Sequence, residues 1–98
     1  MHALWTIFTL GPGTRDAADK LCEGWGPVLG SLSGFKGATF IGDADAGEYA
    51  ALTLWESREA AEAALAATQA GFDEQIGGIA KGPVTRKIYE VWQVVGSE

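Results

Sequence analysis

With 98 residues, 47% of them hydrophobic, the chain suffices for one domain, 1–98, whose core covers only about 60–65% of the surface of the unfolded chain. Its net charge of -6, with seven Lys plus Arg against 13 Asp plus Glu, excludes the basic face that nucleic acid or an anionic membrane requires. The single cysteine, Cys22, excludes an intrachain disulfide and a cysteine-based zinc site, and fits a reducing cytoplasm.

Residues 2–10 are rich in Trp, Ile, Phe, Thr and Leu and end at Gly11-Pro12-Gly13, which predicts strand one. The run is too short for a membrane span and has no basic stretch before it. Thr14 is placed to cap a first helix, with Asp16 in its first turn. Ala18, Leu21, Cys22, Trp25, Val28, Leu29 and Leu32 recur at three- and four-residue spacing and form one apolar stripe. Pro27, flanked by Gly24 and Gly26, predicts a kink or break in that helix. Ser33-Gly34 turns the chain into strand two, 35–41, and the polar loop 42–48 leads to strand three, 49–55. Ser57 is the predicted cap of a second helix running through Ala61, Ala64, Leu65 and Thr68, with an interruption at Gly71. A short helix and a loop over 72–84 precede strand four, 85–95.

The order β-α-β-β-α-β is the ferredoxin-like pattern, an α+β fold with a four-stranded antiparallel sheet and two helices on one face. Such a sheet should alternate apolar and polar residues. Strand one instead sets His2, Leu4, Thr6, Phe8 and Leu10 on one face and Ala3, Trp5, Ile7 and Thr9 on the other. Strand four is similar, with Ile88, Trp92 and Val94 opposite Tyr89, Val91 and Val95. Two helices cover one face only, so the other is expected to be buried by a second subunit, as a homodimer.

The stretches "LSGFKGATF" and "YAALTLWESREAAEAA" resemble the antibiotic biosynthesis monooxygenase family, with its Gly-Phe-x-Gly turn into strand two and its Trp-Glu/Asp-Ser joint between strand three and an Ala-rich helix. The resemblance spans nearly the whole chain. It implies a dimeric α/β barrel, joined partly through strand four and its flanks, with a pocket between sheet and helices in each subunit. Some members of the family oxidise phenolic polyketides with molecular oxygen and no cofactor, and others degrade haem. The haem-degrading pattern of Asn, Trp and His falls here on Thr6, Ala64 and Glu74 or a neighbour, which disfavours haem degradation. The Asn and Tyr of the polyketide oxidases fall on Ala51 and Ala61, and only Trp55 is retained.

The resemblance thus implies a cofactor-independent monooxygenase acting on a small aromatic or phenolic molecule of quinol or anthrone type, with neither metal nor cofactor. The alternative is a non-catalytic barrel that binds a small apolar molecule or serves as a scaffold. An oxygenase without a cofactor needs a dry site, an aromatic wall and donors for a substrate anion. Trp55 offers a wall and an N–H, or else plugs the strand–helix joint. Strand parity sets Tyr49, Thr53 and Trp55 on one side, with Thr6 facing them from strand one, as the substrate-binding set. His2, the only imidazole, is the candidate general base beside Trp55. Cys22 lies on the apolar stripe without a neighbouring base and reads as a core thiol.

Overall fold

The computed structural model describes residues 1–96. Its elements are β1 (His2–Thr9), α1 (Arg15–Gly30), β2 (Phe35–Asp43), β3 (Glu48–Trp55), α2 (Arg58–Gly77) and β4 (Thr85–Glu90). They form one antiparallel sheet in the order β2-β3-β1-β4 with both helices on one face, the ferredoxin-like arrangement. Among the described residues no helix is long and apolar enough to cross a membrane.

The β2–β3 hairpin turns through residues 44–47. The Asp43 carboxylate accepts from the Asp45 and Ala46 N–H groups, and the Asp43 carbonyl accepts from Gly47 N–H at 2.7 Å. Gly47 has φ +73° and its carbonyl accepts from Leu10 N–H, which ties the hairpin to the end of β1. Ser57 caps α2 as predicted, its hydroxyl oxygen accepting from Ala60 N–H at 3.1 Å.

Four local expectations need correction. α1 runs unbroken through Pro27. Pro27 and Glu23 are both exposed, so water can satisfy the Glu23 carbonyl that loses its helical donor. α2 likewise runs unbroken through Gly71. A Cβ there would stand 3.3 Å from the Trp25 ring, so the glycine serves close approach of the two helices. Thr14 precedes α1 without capping it, because its hydroxyl donates to the Gly11 carbonyl at 2.6 Å. β4 stops at Glu90 and not at residue 95. Its only partner is β1, where His2 faces Glu90 and Met1 carbonyl accepts from Val91 N–H, so nothing of β1 stands opposite 92–95.

The core divides into two apolar clusters along the sheet. One joins Phe8, Leu10 and Tyr49 to Ala18, Phe72 and Ile76. The other joins Leu4 and Trp55 to Leu29, Ala61 and Ala64. Three buried polar residues, Thr6, Thr53 and Thr68, lie between them on β1, β3 and α2. The far face of the sheet carries Trp5, Ile7, Ile41, Leu52, Leu54 and Tyr89, none of them buried.

Candidate functional site

The gap between the two clusters is a cavity of about 240 Å³. One cross-strand row makes its floor. Phe40 on β2 is opposite Ala51 on β3, Ala51 is opposite Thr6 on β1, and Thr6 is opposite Arg86 on β4. All four line the cavity. The small Ala51 side chain leaves the room, while Phe8 and Tyr49 one step along the strands and Leu4 and Thr53 one step back bound it. Trp25 and Leu29 of α1 and Thr68 and Phe72 of α2 close it from the helix side. Arg15 and Asp19, paired at 3.1 Å and exposed, stand at its edge.

Of the residues chosen from sequence, Thr6, Tyr49 and Thr53 line this cavity. Tyr49 is buried against Phe8, with ring centroids 6.0 Å apart, and its hydroxyl lies 3.5 Å from Thr14 Oγ1. Trp55 is fully buried and is not part of the cavity wall. It packs edge-on against Phe35 at 5.4 Å and donates from Nε1 to Thr53 Oγ1 at 2.9 Å. The Thr53 hydroxyl in turn donates to the Leu4 carbonyl, at 3.3 Å. Trp55 therefore stands behind the cavity wall, holding Thr53 and packing in the same cluster as Leu4 and Leu29. His2 also stands outside the wall, at the end of the sheet opposite Trp55 and Glu90, with Nδ1 buried and without a hydrogen-bond partner. Ala61 is buried in the cluster below, away from the cavity.

Sequence reasoning missed Arg86. The guanidinium is half-buried and turned toward the helices. It donates from Nε to Thr6 Oγ1 at 3.2 Å, from Nη1 to Gln69 Oε1 at 3.3 Å and from Nη2 to Thr68 Oγ1 at 3.0 Å. Its carbon lies 4.8 Å from the centre of the Phe72 ring. Burial pushes its pKa down from the ordinary arginine value, partly offset by the field of Asp73, and the group stays protonated. The signal was present in the alternation of strand four. Arg86 shares parity with Ile88, on the face that packs against helices, and a charge there breaks the pattern. Cys22 also lines the cavity, and burial raises its thiol pKa, leaving a protonated and unreactive group. Among the described residues no three of His, Cys, Asp or Glu converge as a metal site.

A ferredoxin-like sheet with a partly open, largely apolar cavity under its helices defines an α+β unit with room for a small molecule. Neither a family model nor a curated protein sequence matches the chain. Solved structures do. The chain is similar to a monooxygenase from the gene ActVA-Orf6 of Streptomyces coelicolor in complex with nanaomycin D, at 19% identity over 99% of this chain and 92% of that one, with a TM-score of 0.79. It is similar to a variant of SnoaB, a cofactor-independent oxygenase from Streptomyces nogalater, at 17% identity over 98% and 97% of the two chains, TM-score 0.74. It is also similar to a variant of MhuD with two manganese protoporphyrin IX molecules bound per active site, at 21% identity over 99% and 100%, TM-score 0.76. At these identities the likeness is one of fold, and it is the fold that the resemblance to the antibiotic biosynthesis monooxygenases implies.

Proposed function

We propose that the chain is a cofactor-independent monooxygenase acting on a small, flat phenolic or enolisable aromatic of quinol or anthrone type. The cavity carries this reading. Phe8, Trp25, Phe40 and Phe72 give it aromatic walls, and Thr6, Tyr49 and Arg86 bring donors to it. That combination suits a deprotonated aromatic held away from water, electron-rich enough to reduce oxygen. For an anthrone the overall change is CH2 plus O2 to C=O plus H2O. A porphyrin fits less well, since no histidine is in the cavity wall to ligate iron.

The working unit in this reading is a homodimer. The apolar sheet face of Trp5, Ile7, Ile41, Leu52 and Leu54 has no cover among the described residues, and the exposed Trp92, Val94 and Val95 after β4 add apolar surface of the same kind. Sedimentation equilibrium should give twice the chain mass at micromolar concentration, and a stable monomer there would remove the dimer.

The test of the activity is oxygen uptake with a panel of hydroquinones and anthrones, without added flavin or metal. Uptake of one oxygen molecule per anthrone converted to its ketone, with one atom of isotopically labelled oxygen in the new carbonyl, supports the oxygenase. A hydroquinone turned to quinone with release of hydrogen peroxide is oxidase chemistry and counts against it. Binding of these compounds without turnover supports the other reading, a barrel that carries an apolar molecule.

A further inference from the structure

We infer that the cavity selects an aromatic molecule bearing an anionic oxygen, a carboxylate or a phenolate, which docks on the Arg86 guanidinium and the Thr6 hydroxyl. This rests on the reading of the cavity as the substrate site and adds the class of molecule admitted.

The charge balance around Arg86 is incomplete. Its three protein acceptors, Thr6, Thr68 and Gln69, are all neutral. Among the described residues no carboxylate lies within ion-pair distance of it. Asp73 is held one side chain away, accepting from the Gln69 amide at 2.8 Å while the Gln69 oxygen faces Arg86. A guanidinium has five N–H donors, so two remain after these bonds, one on each terminal nitrogen. Two charged donors match the two oxygens of a carboxylate, and either one serves the single oxygen of a phenolate.

Neighbouring groups fix the direction of approach. The Phe72 ring lies against the guanidinium, and Gln69 and Thr68 hold the two terminal nitrogens from α2. Thr6 accepts from Nε, and its own proton goes to no protein acceptor among the described residues, so it can serve the same anion. Beyond lie Phe8, Trp25 and Phe40, which suit a flat apolar body and offer it no ion. The setting is selective because the chain is acidic, at -6, while this cation is turned inward. A cationic molecule meets Arg86 directly, and a neutral one leaves its charge without a counterion.

Calorimetric titration of the full chain with 2-naphthoate, 2-naphthol and 2-methoxynaphthalene tests the inference. At neutral pH, 2-naphthoate should bind about 10–100-fold more tightly than 2-methoxynaphthalene, the range of a charge-assisted pair. Arg86→Gln should abolish that preference while 2-methoxynaphthalene still binds, and Arg86→Lys should retain part of it. Absorption of bound 2-naphthol separates the two sources of charge. A naphtholate spectrum shows that phenols are admitted as anions, and a naphthol spectrum restricts the site to carboxylates. Equal affinity for 2-naphthoate and 2-methoxynaphthalene, no binding of any of the three, or an unchanged preference in Arg86→Gln overturns the inference. If Arg86→Gln does not fold, Thr6→Val serves instead and should weaken 2-naphthoate more than 2-methoxynaphthalene, with equal weakening counting against it. Oxygen uptake without this preference leaves the oxygenase standing and removes the anion site, and the preference without uptake does the reverse.

Discussion

Trp55→Phe separates a tryptophan that packs from one that binds. The indole is fully buried, packed edge-on with Phe35 and with its N–H on Thr53. Phenylalanine keeps an aromatic ring there but loses that hydrogen bond, about 1 kcal/mol. It also leaves part of the indole volume empty, about 1–2 kcal/mol more. The sum is about 2–3 kcal/mol, which in a domain of this size lowers the melting temperature by on the order of 10–20 °C. Trp55→Ala, at about 3–5 kcal/mol, would consume much of the stability of so small a chain and is the poorer probe. Urea denaturation followed by far-ultraviolet circular dichroism measures the loss, and titration with 2-naphthoate measures the site in the same protein. Stability should fall while affinity changes by less than about threefold, since Trp55 is not in the cavity wall and reaches it only through other side chains, Thr53 among them. Unchanged stability with binding lost would refute the packing role and return Trp55 to the wall of the site.

Ser57→Ala removes the acceptor for Ala60 N–H and should cost about 0.5–2 kcal/mol, read as a lower urea midpoint with an unchanged slope. Gly47→Ala places a Cβ on a residue at φ +73° and into the backbone of Gly11, and should cost about 2 kcal/mol or more by the same measurement. Pro27→Ala restores an N–H for the Glu23 carbonyl at an exposed position and should raise stability by about 1–2 kcal/mol, part of the full helical penalty of proline.

The element order, the antiparallel sheet and the Ser57 cap were legible because each follows from local chemistry: β-rich runs, turn glycines and a hydroxyl before an Ala-rich helix. Two of the failures depended on a neighbour distant in sequence. Gly71 reads as a helix breaker until Trp25 of α1 is seen against it. Residues 91–95 read as strand until the partner strand is seen to run out at Met1. In the site, parity found Thr6, Tyr49 and Thr53, because a strand fixes the side on which each residue falls. It could not show that the Trp55 indole turns onto Thr53 and away from the cavity, which is a matter of rotamer and packing. Arg86 was overlooked because strand four was searched for apolar residues, when its informative residue was the charge among them.

The second half of α1 has a consequence for traffic into the cavity. Residues 24–30 include Gly24, Gly26 and Pro27, which together are about 5 kcal/mol poorer than alanine as helix formers. The same segment carries Trp25 and Leu29, which close the cavity. The helix is held there by what it covers more than by its own backbone. Unwinding there would lift both side chains and part Trp25 from Phe72 and Gly71 of α2. A molecule filling the cavity would add contacts to Trp25 and Leu29 and so help hold this weak stretch of α1 helical.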